Sequence, residues 1–277
     1  MKIHDESAID KELLDELKID CSKCSGLCCT TLFFSKLDGF PEDKVAGKPC
    51  VNLQSDFQCK IHNELTKRKL KGCLNYDCFG AGQKVTQTIY NNSNWRTEPA
   101  KSQEMFKVFQ IVFQLHQILY FLEEAKTIIS VRENWNEISN LIEEGRNISK
   151  ASPHDILTTD IDEYRNRVNE CLRKVSRLIK LNYNPNKKEH KKDFIGKSFK
   201  GKNFNGMDFS MNLLIAANFQ GCSFDGANFL GADTRDTDFS YADLREAVFI
   251  TQGQVNCARG NSHTKLPAKF RRPITWI

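Results

Sequence analysis

The sequence predicts a multi-domain chain of three unlike parts, and three observations predict it. Eight of its eleven cysteines lie between Cys21 and Cys78, long apolar stripes of helical spacing fill the middle, and an apolar residue returns every fifth position from Phe194 to Phe249. The expected class is an N-terminal Cys-rich metal-binding module, a central antiparallel α-helical hairpin or bundle, and a C-terminal stack that turns a corner every five residues. At 277 residues, 40% of them hydrophobic and 27% charged, the chain has material for about two compact domains.

Residues 1–20 are expected to form a lead-in helix, because Ile9, Leu13, Leu14 and Leu17 share one helical face. The start, Met1-Lys2-Ile3-His4-Asp5-Glu6, lacks the apolar stretch of a secretory signal. Residues 21–100 bear cysteine, glycine and proline but few periodic apolar runs, as in small modules that rely on metal for stability.

Residues 101–181 change texture to long helices. Met105, Val108, Phe109, Val112, Leu115, Leu119 and Leu122 form one stripe, broadened by Phe106, Phe113 and Tyr120. A second helix carries Val131, Trp135, Ile138, Leu141 and Ile142. A third, after Pro153, carries Leu157, Ile161, Tyr164, Val168, Cys171, Val175 and Leu178. Core packing explains these stripes, and short connections suggest a hairpin or small bundle. The most apolar stretch, Met105–Leu122, is broken by Lys107, Gln110, Gln114, His116 and Gln117. It is expected to fall short of the roughly 18 apolar residues of a membrane span. The chain is therefore expected in the cytoplasm, with no membrane partner. There a cysteine cluster points to metal or redox chemistry rather than disulfides.

Residues 182–193, polar and Pro-broken with Lys187, Lys188, Lys191 and Lys192, are expected to be a linker. Residues 194–250 then carry the period of five: Phe194, Phe199, Phe204, Phe209, Leu214, Phe219, Phe224, Phe229, Thr234, Phe239, Leu244 and Phe249, broken only at Thr234. Neither a helix nor a strand has this period. From Asn218 on, the position two before each centre is small (Ala217, Cys222, Ala227, Ala232, Thr237, Ala242, Ala247), Asp or Asn commonly precedes the centre, and Gly often follows two later. This pattern resembles the pentapeptide-repeat family, which implies a right-handed square β-solenoid with four repeats per coil. Residues 251–277 leave the register and are expected to form a capping helix near Gln252–Gly260 and a basic tail.

The chemistry-bearing residues are Cys21-x2-Cys24-x3-Cys28-Cys29, then Cys50, Cys59, Cys73 and Cys78, with His62 as a further possible ligand. Two thiolates on a short turn can face one ion, and distant cysteines complete its shell. The leading element, Pro49-Cys50-Val51-Asn52-Leu53, Cys59-Lys60-Ile61 and Gly72-Cys73 resemble the YkgJ-type zinc- or iron-chelating domain. His62 stands where that family often has tyrosine, and Cys78 falls outside its general pattern. Eight cysteines exceed one four-coordinate site, so the residues leave open zinc, a [4Fe-4S] cluster, two sites, one site beside a redox pair, or redox thiols without metal. Gly80-Ala81-Gly82-Gln83 lacks the lysine and Ser/Thr of a phosphate loop and is expected to be a turn.

The function expected is a bacterial metal-binding pentapeptide-repeat protein acting as an adaptor or scaffold for an unidentified protein partner. The alternative is an iron–sulfur redox enzyme or the partner of a peptide- or protein-modifying enzyme. No nucleophile–base set, nucleotide fingerprint or CxxxCxxC radical motif is present in the sequence, so the reading leans away from an enzyme. A gyrase-protecting DNA mimic fits less well. Residues 194–249 carry seven acids against five bases, and three coils span only about 14 Å at a strand spacing of ~4.8 Å. The basic tail (Arg259, Lys265, Lys269, Arg271, Arg272) reads as a solvated end, so nucleic acid is not an expected partner.

Overall fold

The computed structural model describes residues 3–183 and 193–276, so the linker expected at 182–193 lies almost wholly outside the described residues. Contacts group the chain into two compact units: Asp10–Glu123 with Asn136–Glu170, and Met1–Ile9 with Glu124–Trp135 and Cys171–Ile277.

The first unit opens with α1, Lys11–Glu16, whose N-terminus is capped by the Asp10 carboxylate accepting from the Leu13 amide. Short elements follow: α2, Leu27–Thr31, α3, Lys71–Asn75, and α4, Ala81–Gln83, which runs on as a π-helical turn to Ile89. The turn expected at Gly80–Gln83 is instead a helix start. Gly80 caps it with φ +74°, and a Cβ there would stand 2.1 Å from the Glu16 carbonyl oxygen. The long α5, Ser102–Thr127, supplies the core. Every residue of its sequence-predicted stripe is at most 2% exposed, and it packs on Leu27, Cys78, Ala81, Val85 and Ile156. A separate small core joins Phe40, Ile61, Leu65 and Leu70.

By length and composition the helical run Pro99–Thr127 is apolar enough to cross a membrane, with a mean hydropathy of 1.3. This corrects the expectation that its interruptions disqualify it. Within the first unit two of its buried polar side chains are hydrogen-bonded: His116 Nδ1–H donates to the Phe79 carbonyl (2.6 Å), and Glu123 Oε1 accepts from the Asp10 amide (2.6 Å). A helix so partnered is a core helix.

The second expected helix begins later than its stripe: α6 is Trp135–Lys150, and Val131 lies in a 3-10 segment, Ile129–Asn134, ahead of it. The third is two helices, α7, Pro153–Thr158, and α8, Ile161–Tyr183. Thr159 is extended, and the Asp160 carboxylate accepts from the Glu163 amide to restart the helix. Within the first unit α6 and α8 approach closely at Gly145, where a Cβ would lie 2.4 Å from the Tyr164 hydroxyl. That hydroxyl donates to the Leu141 carbonyl at 2.8 Å.

In the second unit the chain returns beside itself every twenty residues, through parallel single-residue bridges such as Ser198↔Asn218, Asn203↔Ser223 and Asn218↔Asp238. No continuous strand forms among the described residues of the repeat. From Phe194 to Phe239 each corner is a type II turn: the centre's carbonyl accepts from the amide three residues on, as in Lys197→Phe194 (3.1 Å), and the residue two past the centre is left-handed, whereas at Leu244 the bond from the Ala247 amide (3.0 Å) forms with Glu246 outside the left-handed region. Glycine fills that position at Gly206 and Gly226, where the Tyr183 side chain also leaves no room for a Cβ. Met211, Ala216, Asp236 and Tyr241 adopt the same left-handed angle. The Asp or Asn before the centre accepts from the amide after it, as Asn218 does from Gln220 (3.0 Å).

The centres point inward. Phe209, Leu214, Phe219, Phe224, Phe229, Phe239, Leu244 and Phe249 are fully buried, while Phe199 in the first coil is only partly so. Thr234 breaks the series because its hydroxyl donates to the Gln254 carbonyl of α9, Gln252–Cys257. The same Gln254 donates through its amide to the Phe229 and Ala232 carbonyls, both at 2.8 Å, so α9 satisfies groups that the next coil would have paired. Ala258, not Gly260, ends α9. Arg259 and Lys265 then bridge to Asp238 and Asp243, extending the ladder without a repeat signature. The C-terminal half of α8 belongs to this unit, with Ser176 bonded to Asp208 and Asn228.

Candidate metal centre

All eight candidate cysteines belong to the first unit, on short elements fixed by local hydrogen bonds, and Cys24, Cys28 and Cys78 also pack against the core beneath α5. Asp20 caps the 3-10 turn Cys21–Lys23 by accepting from the Ser22 amide, which fixes the Cys21–Cys24 step. Gly26, left-handed at φ +67°, starts α2, and Leu53 packs where its Cβ would be. On α2, Cys28 and Cys29 place their sulfurs 3.9 Å apart. The Cys50 amide donates to the Cys29 carbonyl (2.9 Å), and a Leu53↔Cys59 bridge carries Cys59 back alongside. Cys73 lies in α3, and Cys78 is buried just before Gly80. Cys21 is exposed and the remaining six are half-buried. His62 is exposed at the start of the 3-10 turn His62–Glu64.

The thiols sit close enough to feel one another's charge. Burial pushes Cys21 up to about 11, with Cys24 and Cys29 adding to it. Burial likewise pushes Cys73 up to about 12, helped by Cys29, Cys50 and Cys59, and Cys78 up to about 12, helped by Cys24. Cys28 is raised by its hydrogen bond to Cys29 and by burial, and the same bond lowers Cys29, aided by the Lys44 ammonium. Without a cation Cys21, Cys24, Cys28, Cys59, Cys73 and Cys78 therefore hold their protons more tightly than a free thiol, while Cys29 releases its own more readily.

Four residues around this cluster were not expected from the sequence to serve it. Lys44 Nζ donates to the Thr30 carbonyl (2.7 Å) and to that of Leu32, beside Cys29 and Cys50. Gly82 leaves room for Cys24, whose sulfur would be 2.5 Å from a Cβ there. Trp95 donates to the Ser25 carbonyl (2.8 Å), and Arg96 lies over the Phe57 ring at 4.3 Å. Spacing alone could not reveal them, because each acts through a loop far away in sequence.

Soft thiol donors, four or more in one neighbourhood, suit zinc or an iron–sulfur cluster. Among the described residues, no three His, Cys, Asp or Glu side chains are grouped to hold a metal ion as they stand. Occupation would require the cysteine side chains to turn onto the ion. Cys171 and Cys222, in the second unit, are buried, the latter donating to the Phe199 carbonyl.

The coil geometry defines a pentapeptide-repeat protein, and the family model described as pentapeptide repeats matches residues 214–249 with eight copies. The chain belongs to the family of YybG, an uncharacterized protein of Bacillus subtilis (strain 168). It is 41% identical to that protein over 265 residues, covering 94% of this chain and 95% of the relative. No solved structure matches the chain.

Proposed function

We propose that this is a metal-binding pentapeptide-repeat protein that acts in the cytoplasm as an adaptor for a protein partner. The observation that carries the reading is the gathering of eight free thiols, Cys21 to Cys78, on short elements of the first unit. Such a module gains its folding energy from an ion. The likeness of its motifs to the YkgJ-type chelating domain points the same way. Zinc would hold the loops together as a closed structural site, and a [4Fe-4S] cluster would add redox capacity. His62 is a reserve ligand in this reading.

The twenty-residue return, the type II corners and the inward rings support a right-handed square β-solenoid over residues 194–250. The apolar stripes support an antiparallel helical hairpin between 101 and 181. A solenoid offers a regular surface and no catalytic cleft. Its exposed side chains include Met211, Leu213 and Tyr241, which suit a protein contact more than a nucleic acid.

Anaerobic purification of the full chain with metal analysis, sulfide assay and a visible spectrum tests the proposal. Stoichiometric colourless zinc, or iron with sulfide and a brown colour, is the expected outcome, and chelation should loosen residues 21–98 in hydrogen exchange while sparing the repeat. A chain isolated without metal that takes up none when supplied would refute it.

A further inference from the structure

Eight thiols are twice what one tetrahedral ion can use. The structure sorts them by where they pack. Cys24, Cys28 and Cys78 pack with Leu27, Ala81 and Val85 in the core beneath α5. Cys59 and Cys73 pack instead with Ile61, Leu65 and Leu70 in the separate small core. Cys21 sits on the same tight turn as Cys24, whose amide donates to the Cys21 carbonyl (3.3 Å). Cys50 is tied to Cys29 by its amide at 2.9 Å, and to Cys59 through Leu53.

The adjacent pair explains how one short helix serves both groups. Successive residues of an α-helix point about 100° apart, so Cys28 and Cys29 leave α2 in different directions even though their sulfurs lie 3.9 Å apart. Cys28 faces the core with Cys24 and Cys78. Cys29, whose carbonyl accepts from the Cys50 amide, lies near the Lys44 ammonium, which donates to the Thr30 carbonyl (2.7 Å).

We infer that residues 21–78 carry two four-cysteine metal centres, one of Cys21, Cys24, Cys28 and Cys78, the other of Cys29, Cys50, Cys59 and Cys73, meeting at the Cys28–Cys29 step. The inference rests on the metal-binding reading above. Each centre takes a thiophilic divalent ion of zinc type or one cubane cluster. Cys78, which lies outside the general pattern of the chelating domain, is then the ligand that completes the first centre.

The test is the metal content of the full-length protein and of Cys78→Ser, Cys73→Ser and the double variant, by mass spectrometry of the purified chains. Each single variant should keep half the metal of the parent, and the double variant none. A single variant that loses all its metal while its far-ultraviolet spectrum is unchanged overturns the inference. Cobalt(II) titration of the metal-depleted full chain needs no substitution, and its thiolate-to-metal absorption should saturate at two equivalents. Saturation at one equivalent overturns the two-centre inference and leaves the metal-binding reading standing. No uptake at all overturns both.

Discussion

Replacing Phe219 by alanine should cost far more stability than the same change at Phe199, although the two occupy equivalent repeat centres. Phe219 is fully buried and its ring meets six others, those of Phe194, Phe199, Phe204, Phe209, Phe224 and Phe239, with centroids 5.2–6.2 Å away. Truncating a buried phenylalanine costs about 3–5 kcal/mol through lost transfer energy and the cavity left behind. The many ring pairs, worth about 0.5–1.5 kcal/mol each but not additive in one cluster, place Phe219 near the top of that range. Phe199 is partly exposed in the first coil, and among the described residues the aromatic rings it meets are those of Phe194, Phe204 and Phe219. Its truncation should cost about 2 kcal/mol. Against a typical total of about 5–15 kcal/mol the difference is large. Guanidinium unfolding gives the two values. Hydrogen exchange then locates the damage, because coils interact with their nearest neighbours. In Phe219→Ala the amides of Phe199, Phe219 and Asp238, bonded to Asn218, Asp238 and Ala217, should lose protection first. Equal losses of stability in the two variants, or a greater loss in Phe199→Ala, would refute the reasoning.

Burial lowers the His116 imidazole to about 4, while in the unfolded chain it titrates near 6.5. The unfolded state thus takes the proton first, so this contribution is complete above pH ~6.5 and lost as pH falls toward 4, by at most about 3 kcal/mol. His116→Asn, which can still donate to the Phe79 carbonyl, should flatten that part of the stability profile in urea titrations, and an unchanged slope argues against a neutral buried imidazole. Gly260→Ala should dislodge Trp276, whose ring lies 2.4 Å from the added Cβ and whose Nε1 donates to the Ala258 carbonyl at 3.1 Å. The cost is about 1–3 kcal/mol, read as a red shift in tryptophan emission that vanishes in a Trp276→Phe background.

The sequence by itself determined the repeat. A period of five admits only a chain that turns corners, and the residues at each corner name its parts: the inward ring, the Asx bond from Asn218 or Asp238, and the left-handed position that Gly206 and Gly226 fill. The stripe of α5 was equally legible, because helical spacing follows from local geometry. The cysteines were legible as a group through their motif spacing. What only the tertiary structure decided is how distant segments meet. Texture marks a helical segment and a repeat segment, but the second half of α8 joins the repeat's unit, with Ser176 on Asp208 and Asn228, contacts that no local pattern encodes. Thr234 looked like a flaw in the series until α9 supplied the carbonyl its hydroxyl bonds. Lys44 and Gly82 acquire meaning only beside Cys29 and Cys24, and the separation of Cys24, Cys28 and Cys78 in one core from Cys59 and Cys73 in another depends on which loop folds over which. Periodic signals are written by neighbours along the chain. Sites are assembled by neighbours in space, and their long-range contacts leave no period to read.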